Sequence, residues 1–180
     1  MNFDIQTVAE FGLGIQAWAG EGKPEPSRLG QLNRTARPDP KPQEDGFFTS
    51  SWDQTRRSSP WVLLMQGEQK RSGTGRQLWL LEPNPHATLY VIDREPDYER
   101  LARNYPQRWS QPSVSHSRPP APDWHQLSGE IPFDGVHVTE RASALIQGWD
   151  VESTLWLRWQ FIGESTCDAD IRDDWTLEYF

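Results

Sequence analysis

The sequence predicts an α+β domain, with a mostly antiparallel mixed sheet, one or two helices and long proline-rich loops. Three observations predict it. Short runs of alternating apolar and polar residues recur along the chain. One segment, residues 93–105, instead places apolar residues at helical spacing. Two stretches, 20–46 and 106–122, hold proline, glycine and serine at a density that neither a helix nor a strand ladder tolerates.

The elements follow in order. GFFTSSW (46–52) has strand length, as does WVLLM (61–65), which is equally compatible with the start of a helix. RQLWLLE (76–82) and ATLYVID (87–93) read as strands joined by the turn residues PNPH. Asp93 ends the second strand and is placed to cap a helix. Pro96 suits the first turn of that helix, Tyr98, Leu101, Ala102 and Tyr105 share one face, and Pro106 stops it. DGVHVTE (134–140) alternates Val136 and Val138 against His137 and Thr139, the pattern of a half-buried strand. VESTLWLRWQF (151–161) alternates over a longer run. Val151, Ser153, Leu155, Leu157, Trp159 and Phe161 face one way; Glu152, Thr154, Trp156, Arg158 and Gln160 face the other, toward water or a cleft. WTLEYF (175–180) reads as a final strand.

A chain of 180 residues has the length of one domain. The five prolines and four glycines of 20–46 divide an N-terminal segment with its proline-rich loop (1–46) from a core domain (47–180). Ten tryptophans concentrate apolar area at few positions. The net charge of −8 is uneven, because residues 121–180 hold 12 acidic and 3 basic groups. That balance disfavours a nucleic-acid partner and favours a basic protein. A single Cys167 gives no disulfide framework, and the N-terminus lacks the pattern of a secretory signal. No run approaches the roughly 18 apolar residues of a membrane helix. A cytoplasmic location away from the membrane is the expectation. The four histidines and Cys167 have no ligand spacing, so no metal is expected.

The chemistry centres on two short segments. FTSS (48–51) is followed about a hundred residues later by DVE (150–152), each on an expected strand. This pair resembles the middle and last signatures of the arginine–serine–glutamate class of mono-ADP-ribosyltransferases, over about residues 47–161. The resemblance implies that Glu152 is the catalytic acid and that Ser50 supports a nicotinamide-binding cleft. It also implies that Ser51, Trp52, Asp150 and Trp156 contribute to binding NAD, the substrate whose ADP-ribose is passed to a macromolecular acceptor in toxins and effectors. Asp150 stands where the family usually has Glu or Gln. The sequence departs from the family at its front, where an early strand should supply an arginine or histidine for the dinucleotide phosphates; Arg28, Arg34, Arg37, Arg56 and Arg57 are the substitutes at hand. The alternative is a non-catalytic, acidic, tryptophan-rich protein-binding module, of the immunity-inhibitor or assembly-component type, with indoles anchoring a basic protein partner.

Overall fold

The computed structural model describes residues 5–33, 40–42, 46–64, 77–107 and 121–167. The expected final strand at 175–180 lies outside them. The chain runs β1 (Ile5–Thr7), α1 (Val8–Phe11), β2 (Gln16–Gly20), a 3-10 turn (Pro26–Arg28), β3 (Phe47–Ser51), a helical stretch α2 over 60–64, and β4 (Gln77–Pro83). Then follow β5 (Thr88–Ile92), α3 (Glu95–Asn104), α4 (Trp124–Glu130), β6 (Gly135–Val138), α5 (Glu140–Ser143), β7 (Ser153–Trp156) and β8 (Phe161–Thr166). The fold is the α+β class expected. Its eight strands form one sheet in the order β1-β5-β6-β7-β3-β2-β4-β8. Among the described strands only β5 and β6 pair in parallel, and the crossover between them carries α3 and α4, as a parallel connection requires.

Both faces of the central strands are covered. On the outer face, Phe48, Tyr90, Ile92, Val136, Val138 and Leu155 meet Tyr98, Leu101, Trp124, Leu127 and Ala142 of the three helices. On the inner face the sheet curls on itself. Trp18 and Leu81 from β2 and β4 join Leu89 and Val91 from β5 in a second cluster, with Phe47, Trp156 and Val8 of α1. Gly135 suits this close approach. A Cβ there would stand 3.1 Å from the Leu155 carbonyl oxygen and 3.3 Å from the Trp156 indole, so a side chain would require these neighbours to shift by a few tenths of an ångström.

Several expectations change. The core expected to begin at 47 draws in addition on β1 and β2, and β2 lies between β3 and β4. The local signal is Thr7-x-x-Glu10, a reciprocal capping box that starts α1, which Gly12 ends in the left-handed conformation at φ 79°. Within the loop at 20–46, Leu32 and Lys41 are buried, and the Leu32 N–H donates to Ser128 Oγ at 2.9 Å. Residues 60–64 take the helical alternative that WVLLM left open. Arg94, not Asp93, is the N-cap of α3. Asp97 accepts from the backbone N–H groups of both residues, while Asp93 accepts from Thr139.

The single strand expected over 151–161 is two strands. After Trp156 the N–H groups of Leu157 and Arg158 both turn to the Asp134 carbonyl, which ends the ladder with β6. The chain then crosses to the far edge, where β8 pairs with β4. Of the face expected to meet water or a cleft, Glu152, Thr154 and Trp156 are buried, as is His137 on β6, because the curl supplies a second core, while Arg158 is exposed and Gln160 half-buried. Among the described tryptophans, Trp18, Trp52, Trp124, Trp149 and Trp156 are buried, while Trp61, Trp79 and Trp159 are half-buried.

Candidate functional site

Pairing of β3 with β7 sets Thr49 opposite Thr154, and β6 then sets His137 beside Thr154. These three side chains share the inner face with Gln16 of β2, whose partner across the ladder is Ser51. Glu152 lies one residue before β7 and, by the two-residue period, reaches to the same face. Its carboxylate meets the end of β3, where it accepts from the Ser51 N–H at 3.0 Å and from Ser51 Oγ at 3.0 Å.

The polar groups form a hydrogen-bonded circuit, running from Glu152 to His137, in the aromatic core. Ser51 Oγ accepts from Gln16 Nε2 at 3.4 Å, and Gln16 Oε1 accepts from Thr49 at 2.8 Å and from Thr154 at 3.4 Å. Thr49 Oγ1 accepts from the Trp156 indole N–H at 2.8 Å. Thr154 Oγ1 lies 2.8 Å from His137 Nδ1. Because the Thr154 hydroxyl gives its proton to Gln16, it serves His137 as acceptor, which assigns the proton to Nδ1 and leaves Nε2 with a bare lone pair. His137 Nδ1 stands 3.7 Å from Glu152, beyond hydrogen-bond reach, and the imidazole rests against Phe11 at 4.7 Å between ring centroids.

Burial acts on the two ionisable members in opposite senses. It pushes His137 down to about 4, so the ring is neutral near pH 7. It raises Glu152 above the ordinary carboxylate range, partly offset by the two bonds from Ser51; the charge of Glu140 raises it further. A neutral imidazole thus stands beside a carboxyl that holds its proton more tightly than usual. Such divergent neighbours are the usual material of acid–base work.

Of the residues singled out from the sequence, Ser51 and Glu152 are in direct contact. Ser50 is not part of this group. It faces the outer side, where its Oγ accepts from the Trp61 N–H at 3.2 Å. Trp52 packs with Ala17, Val62 and Leu78 in a separate small cluster. Asp150 is exposed, and Trp156 is buried within the circuit. No arginine among the described residues lies within ion-pair reach of Glu152. Arg28 covers the Trp18 ring, Arg56 pairs with Asp53, and Arg34 and Arg37 lie outside the described residues. Sequence reasoning missed Gln16, Thr49, His137 and Thr154. A signal is present in FTSS and ESTLW, whose hydroxyls alternate in step with Glu152, but alternation alone leaves that face to water or a cleft rather than to a second core. No family model, curated protein or solved structure matches this chain.

Proposed function

We propose that the chain is an ADP-ribosyltransferase-like protein of the toxin or effector type, which binds NAD and transfers ADP-ribose to a macromolecular acceptor. Glu152 is its acid and Ser51 the residue that holds it. The observation that carries this reading is the double hydrogen bond from Ser51 to the Glu152 carboxylate, made where the FTSS strand ends beside the DVE segment. When the bond from ribose to nicotinamide breaks, its electron pair leaves with nicotinamide and positive charge develops on the ribose. A fixed carboxylate stabilises that charge without reorganising, and more strongly in a poorly hydrated site than in water. Neutral His137 leaves the negative charge of Glu152 undiminished.

The test is nicotinamide release from NAD by the purified protein, followed with and without acceptor. Glu152→Gln keeps shape and removes charge, so release falls about 100-fold or more while NAD affinity changes little. Release by the unaltered protein rises with pH as Glu152, whose pKa burial raises, loses its proton. Calorimetry with millimolar NAD that shows no binding, together with no release above buffer, overturns the reading.

A further inference from the structure

The outer face of β3 holds a feature that the proposed chemistry does not use. Lys41 is only 7% exposed. Its Nζ lies 4.8 Å from the ring centroid of Phe48, 5.0 Å from that of Trp61 and 5.2 Å from that of Trp149. Lysine is among the residues least often buried, and removing an ammonium from water is costly unless other groups replace its hydration. The usual arrangement lays the stem along apolar surface and leaves the head in water. Here the head is what the rings surround, and all three stand within the roughly 6 Å over which a π face attracts a cation.

The rings are held independently of the lysine. Phe48 meets Trp149 edge-on at 5.7 Å and lies near-parallel to Trp61 at 6.5 Å. Trp149 packs on Trp124 at 6.2 Å, and the Trp61 backbone is tied to Ser50. The backbone beside the lysine is fastened too, because the Pro40 carbonyl accepts from the Trp149 indole N–H at 3.1 Å and from the Tyr98 hydroxyl at 3.3 Å. A cage already fixed by the fold binds its occupant without a further ordering cost.

We propose that Phe48, Trp61 and Trp149 form an ammonium-recognition site, selective for primary or N-methylated alkylammonium groups, whose resident occupant is this chain's own Lys41. Lys41 thereby docks residues 40–42 onto the β3 face opposite Glu152, so the inference stands apart from the proposed chemistry. Withdrawal of Lys41 frees the cage for another alkylammonium.

Two measurements test this. In the unaltered protein, ring currents move the Lys41 ε-methylene proton resonance upfield of those of Lys23 and Lys70, the other two lysines in the sequence; coincidence of all three overturns the proposal. In Lys41→Ala, n-butylammonium chloride raises the unfolding temperature and saturably shifts tryptophan emission, against sodium chloride at equal ionic strength. The same additive leaves the unaltered protein unchanged, and n-butanol does not substitute for it. Equal rescue by n-butanol, or none by n-butylammonium in a folded variant, overturns the cage. Should Lys41→Ala fail to fold, Lys41→Met keeps the stem length without the charge. Its unfolding below the wild-type temperature supports the proposal, and unfolding at that temperature overturns it.

Discussion

Residues 154 and 155 are neighbours in the chain and face opposite worlds. Leu155 joins Phe48, Val136 and the helices in an apolar cluster, while Thr154 joins His137 and Gln16 in a polar circuit. Both residues are fully buried. The two faces of one strand therefore differ in chemistry rather than in exposure. The outer face stabilises the fold by removing apolar surface from water. The inner face holds polar groups that must satisfy one another, and it acquires directionality and shifted proton affinities in return.

The largest effect tests the outer half of that comparison. Leu155→Ala removes a fully buried side chain between β3 and β6 and is expected to cost about 2–5 kcal/mol in urea unfolding, with the unfolding slope unchanged. The cost is paid in stability while the Ser51–Glu152 contact, on the other face, stays in place. A loss below about 1 kcal/mol would mean that the outer face tolerates collapse and the comparison fails there.

The inner face is expected to show itself through pH. The folded-state value of His137 is depressed, so above its unfolded value of 6.5 it binds no proton in either state and costs nothing. Below 6.5 the unfolded chain takes up a proton that the native state refuses, and stability falls until about pH 4. The full loss is about 3 kcal/mol, and His137→Asn, which keeps an N–H for Thr154, should flatten the slope. Glu152 has the opposite sign. Its folded value is raised, so its contribution is present below the ordinary carboxylate value and is lost as pH rises through the folded one. Glu152→Gln should accordingly stabilise the protein near pH 7, whereas the proposed nicotinamide release should fall about 100-fold or more. Denaturation midpoints from pH 4 to 8 separate the two terms.

The sequence made the outer face easier to read than the inner. Apolar periodicity located β3, β4, β5, β6 and α3 within a residue or two; β3, β5 and β6 place large side chains toward the helices, and β4 places Leu81 in the inner cluster. The same alternation places Glu152, Thr154 and Trp156 on one side, which the buried network bears out, but it leaves that side to water or a cleft rather than to a second core. Polar residues in a half-buried strand and polar residues satisfying one another in a curled sheet leave the same pattern. Only the pairing of distant strands distinguishes them, and Gln16 is more than thirty residues from any hydroxyl it contacts. The turn at 157–160 was equally invisible, since the Asp134 carbonyl that ends β7 is a backbone group supplied by a residue over twenty positions away.

A change of intermediate size probes the circuit itself. Thr154→Val keeps shape and removes the group that serves both His137 and Gln16. Leaving a buried imidazole N–H without its acceptor should cost about 1–3 kcal/mol. Unlike Leu155→Ala, it should also alter the pH profile, because His137 loses the partner that sets its tautomer. Proton and nitrogen NMR of the imidazole reads this directly. An unchanged tautomer would show that Thr154 packs without orienting the ring.

The smallest effect is expected where neither face is involved. Arg158 caps the turn after β7, stands 3.6 Å from Asp134, and has a side chain 52% exposed. An ion pair so open to water contributes little, so Arg158→Ala should cost under about 1 kcal/mol and lose most of that small difference at high salt. Asp134 is different in kind. Its carboxylate accepts from the Thr88 N–H at 2.8 Å, the Thr88 hydroxyl at 2.9 Å and Gln160 Nε2 at 3.1 Å. Asp134→Ala strands these buried donors and should cost about 1–3 kcal/mol irrespective of salt. Measured together, the two variants decide whether the end of β7 is fixed by charge or by hydrogen bonding to the start of β5. Equal, salt-sensitive losses would favour charge. The expected inequality would mean that the backbone leading from Glu152 through β7 is held by buried hydrogen bonds that ionic strength does not loosen.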